Sequence, residues 1–140
     1  MGRFDKEFKI IVPKYSNDRE RIDSDVLATY AKKMAEYFGG VTVNPSILGC
    51  WFDRERDQLV CEENLMLLSA FDASSKSESE LERARDFVRN LAREIGKDLG
   101  QAAVMVVEDN IDRFEFVEGD YRREVPDYMK EHDFFKRLLD

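Results

Sequence analysis

The sequence has few of the residues from which metal and catalytic centres are usually built. Its 140 residues include one histidine, His132, and two cysteines, Cys50 and Cys61. Structural zinc sites need four ligands, which these three residues cannot supply within one chain. There is also no Gly-rich phosphate loop, G-x-S-x-G motif or C-x-x-C motif. We therefore expect no bound metal and no cofactor, and we interpret His132 as a surface residue.

Long apolar segments are also missing. The longest, residues 65–68 and 102–107, are far shorter than the roughly 20 residues that a membrane-spanning helix needs. The first residues lack the apolar core of a signal peptide. We expect no membrane partner and a cytoplasmic location.

Positive charge is scarce relative to negative charge. The formal net charge is −8 and the sequence pI is about 4.8. The basic residues Lys32-Lys33 and Arg122-Arg123 form only doublets, so no basic patch offsets the repulsion of a polyanion. We expect no nucleic-acid partner.

What the sequence does contain is enough apolar material for one core. Hydrophobic residues make up 43% of the chain and charged residues 37%. A chain of this length buries roughly two thirds of its unfolded surface when it folds as a unit. We expect a single domain over 1–140, with a core at 1–120 and a C-terminal extension at 121–140.

Apolar periodicity predicts strand, helix, strand, strand, helix and strand, in that order. The four strands are expected at 8–12, 41–53, 58–71 and 102–107. The first helix runs from a cap at Asp23 or Ser24 to Gly39-Gly40, and the second from a capping box of Ser77 and Glu80 to Gly100.

Shorter signals refine this pattern. Asn44-Pro45 is expected to break the second strand near its start, and the charged run 54–57 to form a hairpin tip. Phe114 and Phe116 indicate a continuation of the fourth strand or a short fifth one. Pro126 is expected to begin a C-terminal helix.

This order predicts an α+β fold: a ferredoxin-like βαββαβ sandwich with a four-stranded antiparallel sheet, two helices on one face and a C-terminal helical segment. The second face of the sheet would then carry Trp51, Met66, Leu68 and Met105. An open face of that kind needs a cover. We predict a homodimer in which a partner subunit and the C-terminal segment cover it together.

The predicted hairpin resembles a group of small uncharacterised microbial and phage proteins. The similar residues form a G-G-x-T-V run at 39–43 and a G-x-W motif at 49–51, followed by LVCEEN at 59–64. In that group the two motifs follow the first helix of a ferredoxin-like domain. The resemblance covers about the middle third of the chain, and it implies this fold without implying an activity.

Cys50 and Cys61 are equidistant from the centre of the predicted tip. Opposed residues in an antiparallel pair lie within disulfide range, so a cross-strand disulfide is geometrically allowed. Cys50 also shares a strand face that we assign to the helix-covered core, together with Leu48, Phe52, Leu59, Leu65 and Leu67. We favour buried inert thiols, with a disulfide or a metal role as alternatives.

For function, the leading hypothesis is a non-catalytic module that self-associates or binds a protein partner. The competing hypothesis is a small enzyme or ligand-binding protein with a pocket between the second sheet face and the C-terminal segment. Its acid/base groups would be Asp53, Glu62 or tyrosines. No set of residues converges in the sequence strongly enough to name a reaction.

Overall fold

The predicted order of strands and helices is present in the computed structural model, which describes residues 5–120. A short 3-10 helix at Ala73–Ser75 precedes the second helix. The elements are β1 (Asp5–Pro13), α1 (Ser24–Phe38), β2 (Thr42–Asp53), β3 (Gln58–Phe71), α2 (Glu78–Asp98) and β4 (Val106–Ile111).

The strands form one antiparallel sheet in the order β2-β3-β1-β4. This is the ferredoxin-like arrangement, because β3 lies between β1 and β2 and the last strand joins the outside of β1. The fold prediction is confirmed. Both β2 and β4 are edge strands.

The core lies between the sheet and the two helices. Alternate residues of β1, among them Phe8, Ile10 and Val12, are buried against Leu65 and Leu67 of β3. This burial follows from the two-residue period of a strand, which places one set of side chains on each face. The helices contribute apolar stripes at three-and-four spacing. Their buried members include Leu27, Tyr30, Met34, Leu81, Val88 and Ile95.

The helix boundaries follow the capping signals. The Asp23 carboxylate accepts a hydrogen bond from the backbone N–H of Asp25, and Ser77 Oγ accepts one from the N–H of Glu80. These bonds satisfy donors that the first turn of a helix leaves without partners. Gly39, with φ of +89°, ends α1 in the left-handed conformation that glycine adopts without steric cost. The predicted caps are therefore confirmed.

The predicted bounds of the fourth strand are wrong. It begins at Val106 and extends to Ile111, whereas the apolar run suggested 102–107. The polar residues Asp109 and Asn110 belong to the strand because Lys9 and Lys6 of β1 bond to their side chains. Phe114 and Phe116 lie beyond the strand, in an edge-to-face ring contact.

The expected break at Asn44-Pro45 is a bulge. Between Asn44 and Ile47 the pairing with β3 shifts by one residue, and the Asn44 side chain accepts a hydrogen bond from the N–H of Ser46. Proline is tolerated here because a bulge leaves a residue outside the ladder. The predicted helix starting at Pro126 lies outside the described residues.

Candidate functional site: the β2–β3 arm and the cleft at the end of the sheet

The outer part of the β2–β3 hairpin extends beyond the rest of the sheet. The pairing of β1 with β3 ends at Pro13 and Asn64, and one further hydrogen bond runs from the N–H of Lys14 to the carbonyl of Glu63. Among the described strands, only β2 pairs with the part of β3 before Asn64. We call residues 48–63 the arm. Six residues of strand span about 20 Å, which is the length of this two-stranded segment.

Large apolar side chains on both faces of the arm are exposed. On the face that continues the helix-covered side of the sheet, Leu48 is 69% exposed, Phe52 55% and Leu59 65%. On the opposite face Trp51 is 52% exposed. The alternation of side chains along the predicted strands placed Leu48, Phe52 and Leu59 on the correct face. The same pattern predicted them in the core, however, and that prediction is wrong because α1 and α2 do not cover the arm.

A disulfide links the two strands of the arm. Cys50 and Cys61 are directly opposed in the pairing register and are bonded to each other. Both residues are exposed. The interpretation as buried core thiols is therefore wrong, and the cross-strand disulfide that we considered as an alternative is present.

The base of the arm explains the glycine of the G-x-W motif. The side chain of Asn64 is buried and lies against Gly49, where an added Cβ would be 2.8 Å from Asn64 Nδ2. Asn64 Nδ2 also donates a hydrogen bond to the carbonyl of Glu62. A side chain at position 49 would therefore have to displace this amide.

At the tip of the arm, Asp53 performs a structural task. Its carboxylate accepts hydrogen bonds from the backbone N–H groups of Glu55 and Arg56, at 3.1 and 3.3 Å, and from the Arg56 guanidinium at 2.9 Å. Asp57 closes the turn with a left-handed φ of +51°. Glu62, the other acid/base candidate, pairs with Gly49 at the opposite end of the arm. The two carboxylates share a face, but they are not brought together.

The four interface candidates are also spread over the molecule. Trp51 lies opposite Val60, which is six residues, or about 20 Å, from Met66 along β3. Met66 and Leu68 are half-buried on the second face of the sheet, whereas Met105 is 64% exposed just before β4. This face also carries an ion pair between Lys9 and Asp109. Only Trp51 belongs to the arm.

A cleft of about 730 Å³ lies at the other end of the sheet, where α1 ends and β3 finishes. Tyr37 stacks on Phe87 at a ring-centroid distance of 4.1 Å on one side of it, and Phe114 and Phe116 border it on another. Five aromatic rings line the cleft: Tyr37, Phe38, Phe71, Phe114 and Phe116.

Three charged side chains border the same cleft: Asp72, Lys76 and Glu115. The hydroxyls of Ser74 and Ser75 each donate a hydrogen bond of 2.6 Å to the Asp72 carboxylate. These bonds favour the ionised form and lower the pKa of Asp72 to about 2. Asp72 therefore presents a fixed negative charge. Asp53 and Glu62 lie on the arm, away from this cleft.

The described residues also bear on metal sites and on membrane spans. Within residues 5–120, no group of three or more histidine, cysteine or carboxylate side chains is arranged to hold a metal ion. Among the helices of that same part of the chain, neither combines the length and apolar character that a bilayer crossing requires.

Comparison with known proteins gives structural relatives only. No family model and no curated protein sequence matches the chain. A phage SAM lyase in complex with S-methyl-5'-thioadenosine is similar with a TM-score of 0.57 and 16% identity, over 79% of this chain and 84% of that one. The same comparison with a phage SAM lyase in the apo state gives 0.55 and 16%, over 86% and 92%.

A third solved structure is the divalent cation tolerance protein CutA1 from Thermus thermophilus, with a TM-score of 0.50 and 15% identity over 79% of this chain and 87% of that one. The chain shares the ferredoxin-like fold of these proteins. At such low identity the likeness establishes the fold alone. The resemblance to phage and microbial proteins of this fold is supported at that coarse level, and the hairpin motif stays a prediction.

Sequence reasoning missed the arm as a surface, although a signal for it was present. The predicted third strand has fourteen residues and the first has five, and Pro13 follows the first strand directly. A five-residue strand cannot pair along a fourteen-residue one. The unequal lengths therefore implied that part of the hairpin lacks a third strand and a covering helix.

Proposed function

We propose that this protein is a self-associating ferredoxin-like module whose subunits join through the arm. The observation that carries the proposal is the exposure of Leu48, Phe52 and Leu59 on one face of the arm, with Trp51 on the other. A contiguous apolar surface of this kind marks an interaction site more often than it stands exposed on a monomer.

Two further features favour a second copy of the chain as the partner. Residues 48–52 and 58–61 contain no charged residue, although charged residues make up 37% of the chain. Two copies can therefore bring these segments together without juxtaposing like charges, despite a net charge of −8. In addition, β2 is an edge strand with one side open for pairing. Two copies related by a two-fold axis can therefore pair their β2 strands in antiparallel fashion.

Sedimentation equilibrium over a micromolar concentration range tests the proposal. We expect the wild-type chain to form at least a dimer. Leu59→Lys should weaken association at least tenfold, because it places a charge in the contact. A chain that sediments as a monomer of 16.4 kDa at every concentration would overturn the proposal.

Met105→Lys is the matched control. It makes the same kind of change at a residue that is equally exposed, but it lies before β4 and outside the arm. We expect it to leave association unchanged. If Met105→Lys dissociates the assembly and Leu59→Lys does not, the interface is the second sheet face and not the arm.

A second candidate function is supported by the cleft. Its volume of about 730 Å³ and its aromatic border suit a drug-sized ligand with a flat ring. A solved structure of the same fold, the phage SAM lyase, holds S-methyl-5'-thioadenosine. We propose that the cleft binds this compound or a related nucleoside thioether.

Titration calorimetry with S-methyl-5'-thioadenosine checks this candidate. Binding should weaken about tenfold in Phe114→Ala, because base–aromatic stacking contributes about 1–3 kcal/mol. Val117→Ala is the control, since Val117 is exposed nearby and does not line the cleft. No heat of binding at millimolar ligand, or equal affinity in both variants, would exclude the cleft as the site.

A further inference from the structure

The disulfide lies in the middle of the exposed apolar surface of the arm. On β2, Cys50 stands between Leu48 and Phe52, and on β3, Cys61 follows Leu59 on the same face. A subunit that contacts this surface must therefore cover the sulfur atoms as well. The disulfide and the exposed apolar side chains therefore form one surface.

We propose that Cys50–Cys61 is a reversible thiol–disulfide exchange site, and that its oxidation state sets the strength of self-association through the arm. The effect of oxidation on self-association rests on the proposed function. The assignment of an exchange site rests on the exposure of the disulfide and on the lack, among residues 5–120, of a third strand beside it.

The disulfide is a covalent link between two strands that are otherwise held by their backbone pairing and by the hydrogen bonds at the tip. Among the described strands, β2 alone pairs with the part of β3 before Asn64, and an isolated two-stranded hairpin is marginally stable in water. The disulfide closes a segment with a sequence separation of 11, which restricts the disordered states of the arm. Reduction removes that restriction and leaves the apolar surface on a segment without a fixed shape.

The exchange partner is a small dithiol or a protein dithiol. One of its thiolates attacks a sulfur of the pair, so the protein S–S bond breaks and a mixed disulfide forms. The second thiolate of the reductant then attacks the mixed disulfide, and the reductant leaves as an oxidised disulfide. Two electrons and two protons pass to the protein, which gains two thiols.

Self-association and reduction of the disulfide are thermodynamically linked, and each opposes the other. If the oxidised arm associates more strongly, association must stabilise the oxidised state by the same factor. An interface that covers the sulfurs also blocks the attacking thiolate, so reduction proceeds through dissociated subunits. The rate of reduction should therefore fall as the protein concentration rises.

Two measurements on the full chain test the proposal, with dithiothreitol as the reductant. Sedimentation equilibrium of the oxidised and reduced forms should give dissociation constants that differ at least tenfold. The rate of thiol release, followed by mass spectrometry after quenching, should decrease over a hundredfold increase in protein concentration. The double variant Cys50→Ala/Cys61→Ala should associate like the reduced form and show no response to dithiothreitol.

The outcomes separate the two proposals. Equal dissociation constants in the two oxidation states overturn the redox control while leaving self-association intact. If the chain is monomeric at every concentration, the self-association proposal fails. Amide hydrogen exchange then tests whether the disulfide is a thiol–disulfide exchange site. Amides of residues 48–63 should exchange at least tenfold faster after reduction, with β1 and α2 unchanged. The proposed thiol–disulfide exchange site is overturned if amide exchange in the arm is unchanged after reduction. It is also overturned if dithiothreitol does not reduce the disulfide of the native protein.

Discussion

At the scale of single residues, charged side chains in this protein organise backbone and neighbours more than they assemble a reaction centre. Asp53 was singled out as an acid/base candidate, yet its carboxylate is occupied by the two N–H groups of the arm tip and by Arg56. The Arg56 side chain is largely exposed, so the ion pair adds little. The backbone hydrogen bonds are the larger effect.

Asp53→Ala should therefore loosen the tip without affecting the core. The loss of the hydrogen bonds to the N–H groups of Glu55 and Arg56 costs about 1 kcal/mol. We expect amide exchange at Glu55 and Arg56 to accelerate about fivefold, since about 1.4 kcal/mol corresponds to a factor of ten. Glu55→Ala keeps the Asp53 carboxylate and is the control. Equal acceleration in both variants would contradict this role for Asp53.

Tyr30 is a second residue whose polar group is fixed by a neighbour. Its ring is buried, and its hydroxyl donates a hydrogen bond of 2.8 Å to Asp98, which joins α1 to α2. Burial raises the pKa of Tyr30 above its usual value, and the hydrogen bond to Asp98 adds to that effect. The hydroxyl therefore stays neutral and bonded throughout the physiological range of pH.

At the scale of elements, α2 is fastened to the edge strand β4 by a charge cluster around Glu108. Arg85 donates two hydrogen bonds to the Glu108 carboxylate, from Nε at 2.6 Å and from a terminal nitrogen at 2.9 Å. Lys6 Nζ lies 3.0 Å from the same carboxylate. Arg85, the main cause, and Lys6 lower the pKa of Glu108 to about 2 despite its partial burial.

The Glu108 cluster predicts a pH dependence of stability. The pKa of Glu108 is depressed from 4.5 to about 2 in the folded state. Its contribution to the free energy of unfolding is therefore present above pH 4.5 and is lost as the pH falls towards 2. Allowing for solvent screening, we expect Glu108→Gln to lower the free energy of unfolding by about 2 kcal/mol at pH 7. Urea unfolding at pH 7, 4 and 2 should show the difference shrinking with acidity. A constant difference would disprove the linkage.

The elements also show what sequence could and could not predict. The bounds of β3 and the caps of both helices were predictable, because they depend on local periodicity and on capping side chains. The position of β4 was not, since Asp109 and Asn110 resemble loop residues until Lys9 and Lys6 of β1 are placed beside them. Cross-strand partners of that kind are remote in sequence. The same holds for the arm, whose exposure depends on where β1 stops.

At the scale of the whole molecule, the arm and its disulfide bear on the predicted cytoplasmic location. Exposed disulfides persist in oxidising compartments and are reduced where glutathione and thioredoxin maintain thiols. The cytoplasm therefore remains a prediction that redox state can test. Intact protein extracted under rapid alkylation should carry no alkyl group on Cys50 or Cys61 if the pair is oxidised. Extraction of the dialkylated form would place the chain in a reducing compartment.

The bulge between Asn44 and Ile47 gives the chain a simple way to vary. Because β2 carries one residue more than β3 there, removal of Ser46 can restore a regular ladder in which Val43 still faces Leu67 and Cys50 still faces Cys61. A bulge bends its strand and increases the local twist. Deletion of a single codon would therefore redirect the arm without changing any pair in it. Lineages that gain or lose this codon would differ in the direction of the arm while keeping the same strand order.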